Sequence, residues 1–224
     1  MENTGGEPGD PTAVDRIARA FDRQAGELPV DAVSWPKPSR ISLRLLEMLE
    51  DVTEVRPTLL ELGCGTGVAS VRLAQQGARH VTGIDLSPAS VDIAVRRAAE
   101  AGLDQTRVRF VVGDAASIQL ERHDWVLLDR VICCYPSAED LLANAAGAAG
   151  DRLAFAVPES RGWRGYLNRV GWGAENLGKA VLRRPTCPGL VHDVDAIERT
   201  LVNAGFRMVR KTRRGLWYAA VFDR

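Results

Sequence analysis

The sequence predicts an α/β fold: a seven-stranded sheet, mostly parallel, ending in an antiparallel C-terminal hairpin, with helices on both faces and a helical cap before it. Three observations carry this. From Thr58 onward, short apolar runs alternate with helical segments, the pattern of βαβ units. The first run leads into a turn with three glycines, Gly63, Gly65 and Gly67, directly before a helix. The last two runs, 206–210 and 216–222, are separated only by Lys211-Thr212-Arg213-Arg214-Gly215, which reads as a hairpin turn.

In chain order, residues 1–12 contain Gly, Pro and acidic groups and read as a disordered lead-in. Residues 13–56 form the cap. Val14, Ile17, Ala18 and Phe21 share one face of a short helix, and Ser34-Trp35-Pro36-Lys37-Pro38 then breaks regular structure. Ser39 suits the N-cap of a second helix, with Ile41, Leu45, Leu46 and Leu49 on one side. The sheet domain, 57–224, has strands at Thr58–Leu62, 80–84, Val108–Val112, 125–128 and 153–157. Helices at Val68–Gln76, 90–101 and Ala138–Ala148 lie between them, the first two capped by Gly77 and Gly102. Residues 158–190 are a long insertion. Trp163, Leu167, Val170, Ala174, Leu177 and Val181 stand there at helical spacing, and Gly171 and Gly173 are expected to bend or interrupt the helix. The stripe and the glycines together predict a lid held by tertiary contacts. A helix over 193–204 points Val194, Ile197 and Leu201 inward and stops at Gly205.

At 224 residues the chain suits one large domain, and 46% apolar with 26% charged residues is the balance of an ordinary globular protein. It has no apolar run long enough to cross a membrane, and its N-terminus lacks the basic start and apolar core of a signal peptide. Cys64, Cys133, Cys134 and Cys187 show no CxxC spacing, so a reduced, cytoplasmic protein is expected. A net charge of zero argues against a general nucleic-acid binder. The charge is unevenly divided: residues 1–151 hold 15 basic and 23 acidic side chains, and residues 152–224 hold 14 and 6. The basic third is open to two readings, a site for an anionic partner or a solvated face.

The chemistry is concentrated in Leu59-Leu60-Glu61-Leu62-Gly63-Cys64-Gly65-Thr66-Gly67. Glycines let the backbone turn sharply and let a ligand approach, and the following helix offers free N–H groups to it. Nicotinamide and flavin enzymes use the same device. Three neighbours narrow the choice. Glu61 would repel a pyrophosphate and welcome a cationic ligand part such as an ammonium. The spacing is Gly-x-Gly-x-Gly rather than Gly-x-Gly-x-x-Gly. Asp85 ends the next strand, where an acidic residue takes a ribose hydroxyl pair, and Asp114 ends the third, where a carboxylate can accept from an adenine amino group.

At these residues the chain resembles the class I S-adenosylmethionine (SAM)-dependent methyltransferases, a family with a Rossmann-like seven-stranded sheet. The resemblance implies SAM as cofactor and S-adenosyl-L-homocysteine as its product. It implies that Gly63 and Gly65 border the methionine part and that Glu61 helps hold the amino group. Asp85 would bind the ribose, and Asp114 with Ala115 would flank the adenine. Cys64, Thr66, Leu86 and Asp129 complete the implied cofactor site. Within the class, the glycine loop, the exit of the fourth strand and the tail most resemble the magnesium-protoporphyrin O-methyltransferase branch, which esterifies a propionate.

Asp129 and Arg130 mark the exit of that fourth strand, and no Asn/Asp-Pro-Pro-Tyr stretch follows it, which disfavours amino-directed methylation of bases and glutamine. Tyr135, in the loop beyond, and His192, between the insertion and a helix start, are the candidate catalytic residues. Each has a structural alternative, Tyr135 as an aromatic closing the loop and His192 as part of the helix entrance. Cys133 and Cys134 have neither metal-ligand spacing nor a partner histidine, so no metal is expected. If the insertion covers the acceptor, some of Arg161, Arg164, Arg169, Arg183 and Arg184 should face it. The expected function is methyl transfer to an oxygen of a small anionic or aromatic metabolite. The alternatives are an RNA or protein methyltransferase and a SAM-binding protein without catalysis. A small-molecule substrate, no nucleic acid and no stable membrane insertion are expected, and a homodimer is left open.

Overall fold

The computed structural model describes residues 13–28, 38–50, 56–181 and 189–224. The expected lead-in, most of the Ser34–Pro38 break, and Arg183, Arg184 and Cys187 lie outside them. Seven strands form one sheet in the order β3-β2-β1-β4-β5-β7-β6. They are β1 (Thr58–Leu62), β2 (His80–Asp85), β3 (Val108–Val112), β4 (His123–Asp129), β5 (Ala149–Pro158), β6 (Arg207–Arg214) and β7 (Trp217–Asp223). The first five run parallel, and β7 is antiparallel to both β5 and β6. The order reverses between β1 and β4, and outside the carboxyl ends of such strands an α/β sheet leaves its ligand crevice.

The helices are α1 (Ala13–Gly26), α2 (Arg40–Glu50), α3 (Val68–Gln76), α4 (Pro88–Glu100), α5 (Ala138–Ala148), α6 (Gly162–Val181) and α7 (Val194–Asn203). Strand alternation sorts the core into two layers. On one face Phe155, Tyr218 and Phe222 meet α5 and α7 through Leu141, Leu142, Ile197 and Leu201. On the other, the small residues Ala154, Ala156 and Ala219 leave room for Ile41, Leu45, Leu46 and Leu49 of α2. Each of these fully buried leucines contributes about 1.5–3 kcal/mol, which fixes α2 to the sheet. The other cap helix is tied down by polar contacts. Asp22 of α1 accepts hydrogen bonds from the Ser87 hydroxyl (2.6 Å) and the Ala89 amide (3.1 Å), while Ser87 caps α4 by accepting from Ser90 N–H.

Two local expectations are corrected. The 211–215 segment is not a turn, because β6 continues to Arg214 and the chain reverses at Gly215, at φ 59. β6 is a sheet edge, where alternate charged side chains reach solvent and blunt further pairing, so its apolar pattern breaks off early. Gly171 and Gly173 do not interrupt α6, which runs unbroken for 20 residues. Both sit on its exposed side, where a missing side chain removes no packing.

Candidate functional site

A cavity of about 510 Å³ opens at the carboxyl ends of β1, β2 and β4. That is within the usual range for a small-molecule site. Glu61, Gly63, Cys64, Gly65, Thr66, Asp85, Leu86, Ala115, Asp129 and Tyr135 all line it. Gly63 and Gly65 have φ of 71° and 51°, in the left-handed region, so the loop turns without a side chain entering the cavity. Asp85 holds the loop by accepting from Gly65 N–H (2.8 Å) through one oxygen and from Ser87 N–H (2.9 Å) through the other.

Three carboxyl groups crowd one part of the wall. Glu61 is buried and accepts a 2.5 Å bond from the Ser70 hydroxyl. Burial, and after it the nearby Asp129 and Asp85, raise its pKa to about 8, with the Ser70 bond opposing. Asp129 is also pushed up by burial, with a Ser42 hydrogen bond opposing, and its Oδ1 is buried without a partner. Asp85 is raised by burial too, against its two backbone bonds. Like charges packed out of water destabilise one another. A ligand carrying positive charge, an ammonium or a sulfonium, would relieve Glu61 and Asp129, so these two side chains fit a cationic cofactor end.

The other candidate residues are placed differently. Asp114 is off the cavity wall, accepting from the Tyr135 hydroxyl (2.9 Å), Ala116 N–H and the Ser117 hydroxyl. Tyr135 is buried, and desolvation with the Asp114 bond pushes its phenol well above its ordinary pKa. His192 does not line the cavity; its Nε2 lies 2.9 Å from the Tyr135 carbonyl oxygen, clasping the loop after β4 to the start of α7. Cys64 is a buried thiol whose pKa burial raises. Among the described residues no cluster of metal-ligating side chains occurs.

Of the insertion arginines expected to face the acceptor, the three described ones, Arg161, Arg164 and Arg169, do not line the cavity. Arg161 bonds Glu159, Asp195 and Glu198 and lies over the Tyr218 ring, and Arg164 donates to Gly215 O and stacks on Trp163. The buried Glu159 carboxylate captures Arg161 before it can reach a ligand. Among the described residues the cation that lines the cavity is Arg130, directly after β4. It is the one non-glycine residue with positive φ among the described residues, at 59°, and its guanidinium lies 5.7 Å from the Trp217 ring centroid. A bulky residue in that region is strained by about 1–3 kcal/mol, and such strain clusters at active sites and ligand clamps. The cap also supplies wall residues that sequence patterning did not single out for the site, namely Ile17 and Phe21 of α1 and Ser42 and Leu46 of α2.

A family model described as a methyltransferase domain matches residues 59–149. The chain is 28% identical over 187 residues to the magnesium-protoporphyrin O-methyltransferase of Rhodobacter capsulatus, covering 81% of this chain and 77% of that one. It is 29% identical over 160 residues to a release factor glutamine methyltransferase of Cereibacter sphaeroides, covering 67% of this chain. The matched region spans only about half, 51%, of that relative's length. Among solved structures, the magnesium protoporphyrin IX methyltransferase of Synechocystis PCC 6803 with bound SAM superposes with a TM-score of 0.68 at 18% identity, covering 99% of this chain and 98% of that one. At that identity the likeness is one of fold.

Proposed function

We propose, from the premise that this chain is a class I SAM-dependent methyltransferase, that it methylates an oxygen of a small anionic molecule, a carboxylate before a hydroxyl. Arg130 at the cavity mouth is the observation behind the acceptor's charge. It faces the same cavity as Glu61, Asp85 and Asp129, so the site has an acidic end and a basic door. When bound, SAM supplies an electrophilic methyl group on its sulfonium.

The chain's own residues then have separable tasks. Glu61 and Asp129 hold the cationic end of the cofactor, and the Gly63–Gly65 turn lets it approach the backbone. Asp85 accepts from the ribose hydroxyls through its remaining lone pairs. Arg130, stacked on Trp217, draws in the acceptor and aims its anionic group. A carboxylate acceptor is already ionised at neutral pH and needs no base. That agrees with a wall where the Tyr135 phenol holds its proton and His192 is engaged elsewhere. The reaction then rests on positioning.

Two measurements test this. Asp85→Ala removes charge-assisted hydrogen bonds worth ~1.5–3 kcal/mol each and should weaken SAM binding at least tenfold by calorimetry. Unchanged affinity in a folded variant would exclude the ribose role. Mass spectrometry of metabolites incubated with protein and isotopically labelled SAM identifies the acceptor. With that acceptor, Arg130→Gln should raise KM roughly tenfold or more and leave SAM affinity alone. A neutral acceptor used equally well by wild type and variant would overturn the charge assignment.

A further inference from the structure

Helix α6 turns most of its described large apolar side chains outward. An ordinary surface helix turns its apolar stripe to the core and its polar side to water. In α6 the inward side is Asn168, Trp172 and Asn176. Asn168 Nδ2 donates to the carbonyls of Glu159 and Leu216, both at 2.8 Å, and Asn176 exchanges two hydrogen bonds with the Gly189 backbone. Trp172 lies over Gly189, where a Cβ would strike its ring, and meets Trp217 edge-on with centroids 6.0 Å apart.

The outward side carries Trp163, Tyr166, Leu167, Val170 and Leu177, exposed by 62, 66, 45, 52 and 66% respectively. Their spacing puts them on one stripe along the helix. A contiguous exposed apolar stripe of this kind marks an interaction surface rather than scattered surface residues. At 3.6 residues per turn, Arg164 and Arg169 flank it about 110° to either side of its centre. The one acidic residue of the helix, Glu175, is paired with Lys179 at 2.7 Å.

We infer that this face of α6 docks on an anionic lipid surface, with the helix lying in the headgroup plane. The flanking charges decide the occupant. Two copies meeting through this face would bring the flanking cations of each copy together, above all Arg169, while the one carboxylate of α6 is already paired with Lys179. Anionic headgroups neutralise these cations directly, while the apolar stripe enters the acyl boundary. Trp163 and Tyr166 have the amphipathic rings that favour that depth. No helix among the described residues is long and apolar enough to cross a membrane, so the contact is interfacial. Docking would leave the cavity wall at Trp217 behind the helix, one helix diameter (roughly 10 Å) from the bilayer, because Trp172 on the inward side meets Trp217. The inference is independent of the methyl acceptor's identity.

Vesicle sedimentation of the full chain tests it, with phosphatidylcholine vesicles alone and mixed with phosphatidylglycerol. The protein should pellet at least tenfold more with the mixed vesicles and be released as salt is raised. Leu167→Ser combined with Val170→Ser should abolish pelleting while leaving the circular dichroism and melting temperature unchanged, since both side chains are exposed. Arg169→Gln should weaken binding to the mixed vesicles alone. Absence of pelleting, or equal pelleting by the double variant, overturns the inference. So does a concentration-dependent dimer in analytical ultracentrifugation that the double variant abolishes while neither protein binds vesicles, which would give this face to a second copy.

Discussion

A Gly63→Ala variant is expected to melt roughly 5–15 °C lower than wild type and to bind SAM at least tenfold more weakly. Two separate effects add. A left-handed φ costs an L-residue about 1–2 kcal/mol, and overpacking a close-packed wall costs about 1–3 kcal/mol more. At this chain size each kcal/mol lowers the melting temperature by about 2–4 °C. The overpacking is specific: a Cβ on Gly63 would stand 2.3 Å from Val131 Cγ2 and 2.7 Å from its Cβ. Val131 lines the cavity, so the shift that makes room also deforms the cavity proposed to hold the cofactor. Gly102→Ala isolates the first effect, because Gly102 has φ 70° and nothing within 4 Å of its would-be Cβ. Adding Val131→Ala to Gly63→Ala should recover part of the loss. Equal melting temperatures for the Gly63 and Gly102 variants would show that the crowding is harmless.

The pH dependence of cofactor binding should be large. Glu61 has a pKa of about 8 in the free protein, raised first by burial and then by Asp129 and Asp85. A cationic ligand binds best when Glu61 is ionised, so below that pH it must displace a proton. SAM affinity should therefore rise from pH 6 towards 8 by up to about tenfold per unit. Calorimetry in buffers of different ionisation enthalpy would count the proton released, and Glu61→Gln should flatten the profile while lowering affinity near pH 8. The stability of the free protein runs the other way. The folded pKa lies above the usual 4.5, so Glu61 favours the folded state fully below about pH 4.5 and loses that contribution as pH rises through about 8. A wild-type SAM affinity that does not change between pH 6 and 8 would show that Glu61 does not face the cationic end.

The sequence marked some features well because one physical signal dominated each. The runs Thr58–Leu62 and Val108–Val112 and the helix Val68–Gln76 match the structure to the residue, since apolar strands alternate with glycine-punctuated helices. The carboxylate-rich cavity was legible too, because Glu61, Asp85 and Asp129 come at strand ends where a parallel sheet keeps its crevice. Other features depend on contacts between distant segments. Nothing in the local sequence indicates that Arg130 adopts positive φ, that Trp217 from the last strand lies beside it, or that Ser42 of α2 reaches Asp129. The periodicity of α6 is legible in the sequence and its direction is not. Apolar spacing identifies a stripe but not which way it points, and the inward side is fixed by Asn168 and Asn176 meeting backbone carbonyls and amides.

The place of β7 between β5 and β6 bears on how the protein is made. On the ribosome, β5 emerges with one side paired to β4 and the other bare, and its second partner is residues 217–223. Translation runs at about 5–20 residues per second. For several seconds, while the intervening segment is synthesised, the run Leu153-Ala154-Phe155-Ala156-Val157 offers an unpaired, wholly apolar edge to any other nascent strand. Overexpression at high temperature should thus favour inclusion bodies seeded at this edge. A holdase chaperone that shields 153–157 until β7 is released should raise the soluble yield without altering the stability of the finished fold.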